Sequence, residues 1–304
     1  VLRYRGELAE TVPVAPLTTF GIGGPARWLA STSDVEDIQA IIRVCRKLGI
    51  ALYVLGAGSN VLVPDEGIDG VVLVLTRGLS GLSMESDMMR CQAGVRDEAL
   101  SLCAWSHGIA GYEWLFDIPG SVGGAVYMNA GCNEGDMAGL VLQVTWLDIR
   151  GEVRVSDPAD LNFGYRHSRF HDSPGLVVEA LLRADTRDDP AAIRARMETS
   201  RATRKSKFPP ESLCAGSVFK RPPGHFAGKL IEDAGCGGMT VGDAMVSPKH
   251  KGFIVNRGAA TARDVKALME QVSGRVLRQF GIRLEPEVVS FEETPFIPAA
   301  AMQK

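Results

Sequence analysis

A chain of 304 residues with 45% hydrophobic side chains is long enough for about two packed domains and too apolar for a disordered segment. Its 33 basic and 36 acidic side chains leave a net charge of −3, which excludes a general nucleic-acid surface but leaves room for a local basic patch around a phosphorylated ligand. The six cysteines, at 45, 91, 103, 132, 214 and 236, form no C-x-x-C pair, and the five histidines have no metal-ligand spacing, so neither a metal nor a disulfide framework is expected. No apolar run reaches the roughly 18 residues of a membrane span, and Val1–Glu7 lacks a signal-peptide core, so the expectation is a monomer in a reducing cytoplasm with no membrane insertion.

In chain order, Ser33-Asp34-Val35-Glu36 reads as a capping box, followed by apolar Val35, Ile38, Ile41, Ile42, Cys45 and Leu48 on one face of a helix over 34–48 that stops at Gly49. Runs at 51–55 and 71–75 read as buried strands, giving a small βαβ-like unit over 1–78. From 79 to 204 the texture changes to short strands at 141–149, 153–155 and 176–182, with a helix at 97–107 closed by Gly108 and another opened by Asp189-Pro190 and running to about 203. Lys205–Glu211, with Pro209-Pro210, reads as a linker into a third region, 205–304. That region is expected to hold a helix at 227–234, a strand at 252–256 and a long helix capped by Thr261 with Val265, Leu268, Met269, Val272, Val276 and Phe280 on one face. A strand is expected over 283–291, around Glu287, and the apolar tail 295–302 is expected to lack order.

Two glycine-rich segments stand out. Gly56-Ala57-Gly58-Ser59-Asn60-Val61 follows a strand but fails the G-x-G-x-x-G pattern, and no helix can begin at Val61-Leu62-Val63-Pro64. It is either a tight strand–strand turn or a nest of backbone N–H groups that a phosphate can approach because glycine has no Cβ. Ile118-Pro119-Gly120-Ser121-Val122-Gly123-Gly124, followed by Asn129-Ala130-Gly131, is a second concavity of the same kind, and the two together imply a long, bent, polar cofactor.

These segments, together with Thr18–Pro25, Phe163-Gly164-Tyr165-Arg166-His167-Ser168, Cys214-Ala215-Gly216-Ser217-Val218-Phe219-Lys220-Arg221 and Leu284-Glu285-Pro286-Glu287-Val288, form an ordered set from about Ala15 to Phe291 that resembles the UDP-N-acetylenolpyruvoylglucosamine reductases. The resemblance implies an α+β chain: an FAD-binding fold of the vanillyl-alcohol-oxidase type in two subdomains, then an α+β substrate-binding domain. It implies FAD as cofactor, NADPH as co-substrate and UDP-N-acetylglucosamine enolpyruvate as substrate, reduced to UDP-N-acetylmuramate for peptidoglycan. FAD would then be held by Gly56, Ala57, Gly58, Ser59, Asn60, Val61, Ile118, Pro119, Gly120, Ser121, Gly123, Gly124, Asn129 and Gly131.

An isolated enol ether is a poor hydride acceptor. Hydride arriving at C3 leaves carbanion character at C2, tolerable only if the neighbouring carboxylate is held as an aci-enolate by charge-handling groups. The resemblance assigns that task to Arg166, a permanent, planar cation, and to Glu287, whose carboxyl would have to be protonated to donate there. It makes Ser217 the proton donor to C2. Lys207 and Arg221 would bind the UDP diphosphate or the substrate carboxylate. The stretch from Arg166 to Ser217 is too short for the additional tyrosine-bearing loop of the longer subclass, so the chain resembles the shorter one. The competing readings are a flavin oxidase of the same fold, which would turn over in air without NADPH, and a non-catalytic FAD- or UDP-sugar-binding paralogue.

Overall fold

A computed structural model describes residues 4–132, 135–209 and 213–299. Near the N-terminus, four strands form a sheet in the order Glu7–Pro13, Pro25–Ser31, Ile68–Val74, Ala51–Leu55, with Ile68–Val74 parallel to both of its neighbours. Parallel neighbours need a crossover, and the helix Val35–Leu48 supplies one, burying Ile38, Ile42 and Cys45. The expected capping box is not what starts this helix. Asp34 is the N-cap, and its carboxylate accepts from the Glu36 N–H; the helix ends at Gly49 in the left-handed conformation that favours glycine.

The second sheet is antiparallel, ordered Val153–Ser156, Val141–Leu147, Leu176–Arg183, Met88–Gln92, Leu82–Glu85. Against it lie Asp97–Ser106, one residue shorter than the expected helix, and a helix at Val122–Met128 that sequence reasoning took for a loop. Val122–Met128 carries two glycines, which lower helix propensity, and forms because Val122 and Gly123 donate to the carbonyls of Val95 and Ala93. A Cβ on Gly123 would come within 2.8 Å of Ala93 Cβ, so the glycines allow close packing.

The helix opened by Pro190 runs to Lys207, beyond the expected stop. Arg204, Lys205 and Lys207 therefore belong to its last turn, where cations complement the helix dipole, rather than to a linker. Pro210 and Glu211 lie outside the described residues, as do positions 300–302 of the apolar tail. The third region holds helices Ala227–Asp233 and Ala262–Phe280 on a three-stranded sheet. Thr261 and Asp264 form a reciprocal capping box, and Phe280, expected on the apolar face, is exposed because it ends the helix beside Gly281.

The α+β class holds; the first sheet gives way to the second between 74 and 82 and the second to the third between 183 and 240, and the cores cross both divisions. One core joins the first two sheets, and Phe296 and Ile297 pack into it, Ile297 exchanging backbone bonds with Leu52. The expected disorder of the tail thus fails at 296–297, because two large apolar side chains find a buried place. The third region's core takes in Phe20, Ile22 and Leu62. Of the expected 283–291 strand, only Val289–Ser290 forms a strand, in parallel with Val61–Leu62, while Pro286 pairs with Phe219 through an isolated bridge.

Candidate active site

Where the three sheets meet, a cavity of about 1210 Å³ opens. Of the residues predicted for the site, it brings together Gly56 to Val61, Ile118 to Ser121, Gly123, Gly124, Gly131, Arg166, Lys207, Ser217, Arg221 and Glu287. Asn129 is the exception. Its side chain is spent within the protein, donating to Gly164 O at 2.9 Å and accepting from Ala138 N at 2.9 Å, and it does not line the cavity. It braces the turn that carries Arg166, so the expected flavin contact gives way to a scaffold role.

Arg166 sits in a tight turn closed by reciprocal backbone bonds between Gly164 and His167. Its φ of 56° is left-handed, costing roughly 1 kcal/mol for a residue with a Cβ. The turn aims the guanidinium inward, where Nε donates to Glu287 Oε1 at 2.6 Å and a terminal nitrogen donates to Gly131 O at 2.9 Å. Glu287 Oε1 accepts the first of these bonds, and both side chains of the pair are largely buried. Glu287 is positioned by its own backbone, with N–H donating to Val218 O and its carbonyl accepting from the Asn60 amide at 3.1 Å. Asn60, at the end of the first glycine loop, is thereby tied to the strand that carries the acid.

Ser217 follows Gly216, whose φ of 73° turns the chain, and pairs with Phe253 across a backbone bridge. One residue on, Val218 bonds Glu287, so hydroxyl and carboxyl are carried by adjoining strands although 70 positions apart in order. Cys214 lies close by, but burial pushes its thiol up, so it is no thiolate nucleophile. Arg221 donates its backbone N–H to the Tyr165 hydroxyl at 3.2 Å, and its guanidinium lies 4.8 Å from the Phe226 ring centre. Among the described residues no cluster of His, Cys, Asp or Glu could hold a metal, and no helix is long and apolar enough to cross a membrane.

The comparisons with known proteins agree on one family. Residues 27–156 match the FAD binding domain, and residues 208–291 match the C-terminal domain of UDP-N-acetylenolpyruvoylglucosamine reductase. The reductase of Limosilactobacillus fermentum is 42% identical over 282 residues, covering 93% of each chain, and that of a Bradyrhizobium species is 40% identical over 285 residues, covering 93% of this chain and 92% of its own. The crystal structure of the Thermus caldophilus reductase superposes with a TM-score of 0.80 at 35% identity, over 94% of this chain and 99% of that one. The chain belongs to the UDP-N-acetylenolpyruvoylglucosamine reductase family.

The cradle of this reductase-family chain fits FAD. A Cβ on Gly58 would fall 2.1 Å from Leu17 O at a φ of 67°, so this position must be glycine, and one on Gly56 would lie 2.6 Å from Ser121 Oγ, pushing that hydroxyl aside. Ser121 Oγ is buried with no hydrogen-bond partner in the protein, as expected of a group reserved for a bound molecule.

Sequence reasoning missed several wall residues: Asp97, Tyr127, Phe170, His171, Thr203 and Arg204. Burial lowers the His171 pKa and raises that of the Tyr127 phenol, so both rings face the cavity neutral near pH 7. No local pattern marks them; they reach the cavity by packing. Only Asp97 had a cue, a carboxyl in the first turn of a helix whose carboxylate neighbour Glu98 faces water.

Proposed function

We propose that this chain uses NADPH to reduce the enolpyruvyl ether of UDP-N-acetylglucosamine to the lactyl ether of UDP-N-acetylmuramate, a step of peptidoglycan precursor synthesis. The observation that supports this most is the convergence of Arg166, Glu287 and Ser217 on the cavity walled by the two glycine loops.

The loops Gly56–Val61 and Ile118–Gly124 would hold FAD, which when bound would supply the hydride chemistry linking NADPH to the enolpyruvyl C3. Arg166 grips the substrate carboxylate and holds the charge that develops there as C2 gains electron density. Glu287 keeps the guanidinium in place and shares the hydrogen bonding around that carboxylate. The Ser217 hydroxyl then donates its proton to C2 and is reprotonated from solvent. Lys207 and Arg221 meet the diphosphate, their cations standing on opposite sequence elements, one ending the helix Pro190–Lys207 and the other after the Ser217 turn. A monomer working in the cytoplasm suits a chain whose six cysteines are all free.

The test splits the cycle under anaerobic conditions. NADPH should bleach the flavin, and UDP-N-acetylglucosamine enolpyruvate should restore its colour with formation of the lactyl ether. Flavin that NADPH cannot reduce, or that only oxygen reoxidises, would count against the reductase and favour an oxidase.

A further inference from the structure

Asp97 is the one buried carboxyl on the cavity wall whose oxygen finds nothing to bond. It is 2% exposed, and Oδ1 has no hydrogen-bond partner among the described residues. It opens the helix Asp97–Ser106, where an ionised carboxylate would ordinarily serve the free N–H groups, yet none is bonded to it. Its backbone N–H donates to Gly120 O at 3.3 Å, and its Oδ2 stands 1.9 Å from where a Cβ on Gly120 would be. The carboxyl thus occupies the space that the second glycine loop leaves open, beside Ser121, whose hydroxyl is the other orphaned polar atom of the cavity. Two unpartnered polar side chains, both almost fully buried, one opening the helix Asp97–Ser106 and the other on the glycine loop against it, make a built site.

We propose that Asp97, in its protonated form, and Ser121 together donate hydrogen bonds to a phosphate oxygen of FAD, so that the cofactor is released more readily once Asp97 ionises. An ionised Asp97 would set a negative charge against the pyrophosphate, whereas the acid offers it an O–H, so the proton decides between repulsion and grip.

The surroundings support a neutral acid. Burial pushes Asp97 up to about 7, and Arg96 is the one charged neighbour whose field pulls it down. The other elements packed around it offer little. The loop Gly56–Asn60 has no titratable side chain, and Val122–Met128 contributes only Tyr127, a neutral phenol at this pH. Asp117, ahead of the second loop, lies 3.8 Å from Arg201, and Glu98 follows Asp97 on its own helix, exposed to solvent. His171, on the cavity wall, is pushed below its ordinary value and so titrates below the window in question.

This inference rests on FAD occupying the cavity, and the experiment separates the two. Holoenzyme is diluted at pH 6.0 to 8.5, and free FAD is read from its fluorescence at equilibrium. A protein that retains no flavin at any pH sinks the FAD assignment and this proposal with it. With flavin retained, the wild-type dissociation constant should rise about tenfold between pH 6.5 and 8.5, a change of about one unit of protonation linkage. Asp97→Asn, which keeps a donor and cannot ionise, should be flat within about twofold and hold FAD more tightly than wild type at pH 8.5. A wild-type profile without slope, or the same slope in Asp97→Asn, overturns the proposal while leaving FAD binding intact. Should the variant not fold, FAD binding to wild type at pH 8 should take up close to one proton, read from binding heats in buffers of different ionisation enthalpy; uptake of none overturns it equally.

Discussion

The cofactor cradle and the reducing centre share one cavity, but they are built differently. The cradle's wall comes from two short continuous runs, 56–61 and 118–124, in which what matters is the absence of side-chain atoms: Gly56, Gly58 and Gly120 each leave a space that a neighbour fills. The proposed reducing centre takes one side chain each from positions 166, 217 and 287, which line the same cavity, and would depend on what those side chains carry. A site that excludes atoms is written locally, whereas a site that assembles functional groups is written across the whole fold. The two join at Asn60, whose amide and carbonyl bond the Glu287–Val289 backbone. Damage to one should therefore be distinguishable from damage to the other, by flavin content on one side and by flavin reoxidation on the other.

Ser217→Ala should show the largest such separation. NADPH should bleach its flavin at a near-normal rate, while reoxidation by substrate falls about 10²–10⁴-fold, the usual size of a general-acid effect. Stopped-flow absorbance follows both halves, and wild-type reoxidation would remove Ser217 from the chemistry.

Arg166→Lys comes next. Lysine keeps the charge but loses the fork that reaches Glu287 and Gly131 at once, so reoxidation should slow by about 10²-fold, or roughly 3 kcal/mol. Glu287→Gln preserves a hydrogen-bonding amide of the same shape and should slow it less. The reverse ranking in single-turnover reoxidation would mean that the carboxylate, not the guanidinium, carries the developing charge.

Gly58→Ala attacks the cradle instead. With φ at 67° and Leu17 O only 2.1 Å from the new methyl, the loop must shift, costing more than about 1 kcal/mol of stability. The flavin-to-protein ratio after purification should drop, while any flavin retained is reoxidised by substrate at the ordinary rate. Full occupancy together with slow reoxidation would blur the division between the two regions.

Asn129→Ala should have the smallest effect on the two flavin readouts and the most diagnostic one. It leaves Gly164 O and Ala138 N without their partner, a loss of about 1–3 kcal/mol of stability, read as a lower denaturation midpoint. Because Asn129 braces the Arg166 turn, reoxidation should slow modestly with flavin content unchanged. Loss of flavin instead would restore Asn129 to the cradle.

Much of this was legible in the sequence. The glycine runs announced two backbone concavities, since a missing Cβ is a property of the residue itself. The ordered motifs named Arg166, Ser217 and Glu287. The amphipathic periods of Val35–Leu48 and Ala262–Phe280 fixed helices whose buried faces follow the pattern except at their last residues, Leu48 and Phe280, which end exposed. Elsewhere local propensity lost to tertiary contact. Val122–Met128 is helical despite its glycines because Ala93 and Val95 hold its first turn, and the tail at 296–297 is ordered because Leu52 offers a strand edge and the core a place for two apolar side chains. The sequence by itself determined which groups are present and where the chain can bend, because conformational freedom and chemical function belong to single residues. Only the tertiary structure decided that Arg166 meets Glu287 at 2.6 Å, that Asn129 faces the protein rather than the cavity, and that Asp97 is shut away beneath Gly120. Such pairings and burials depend on long-range packing, which no local window of residues contains.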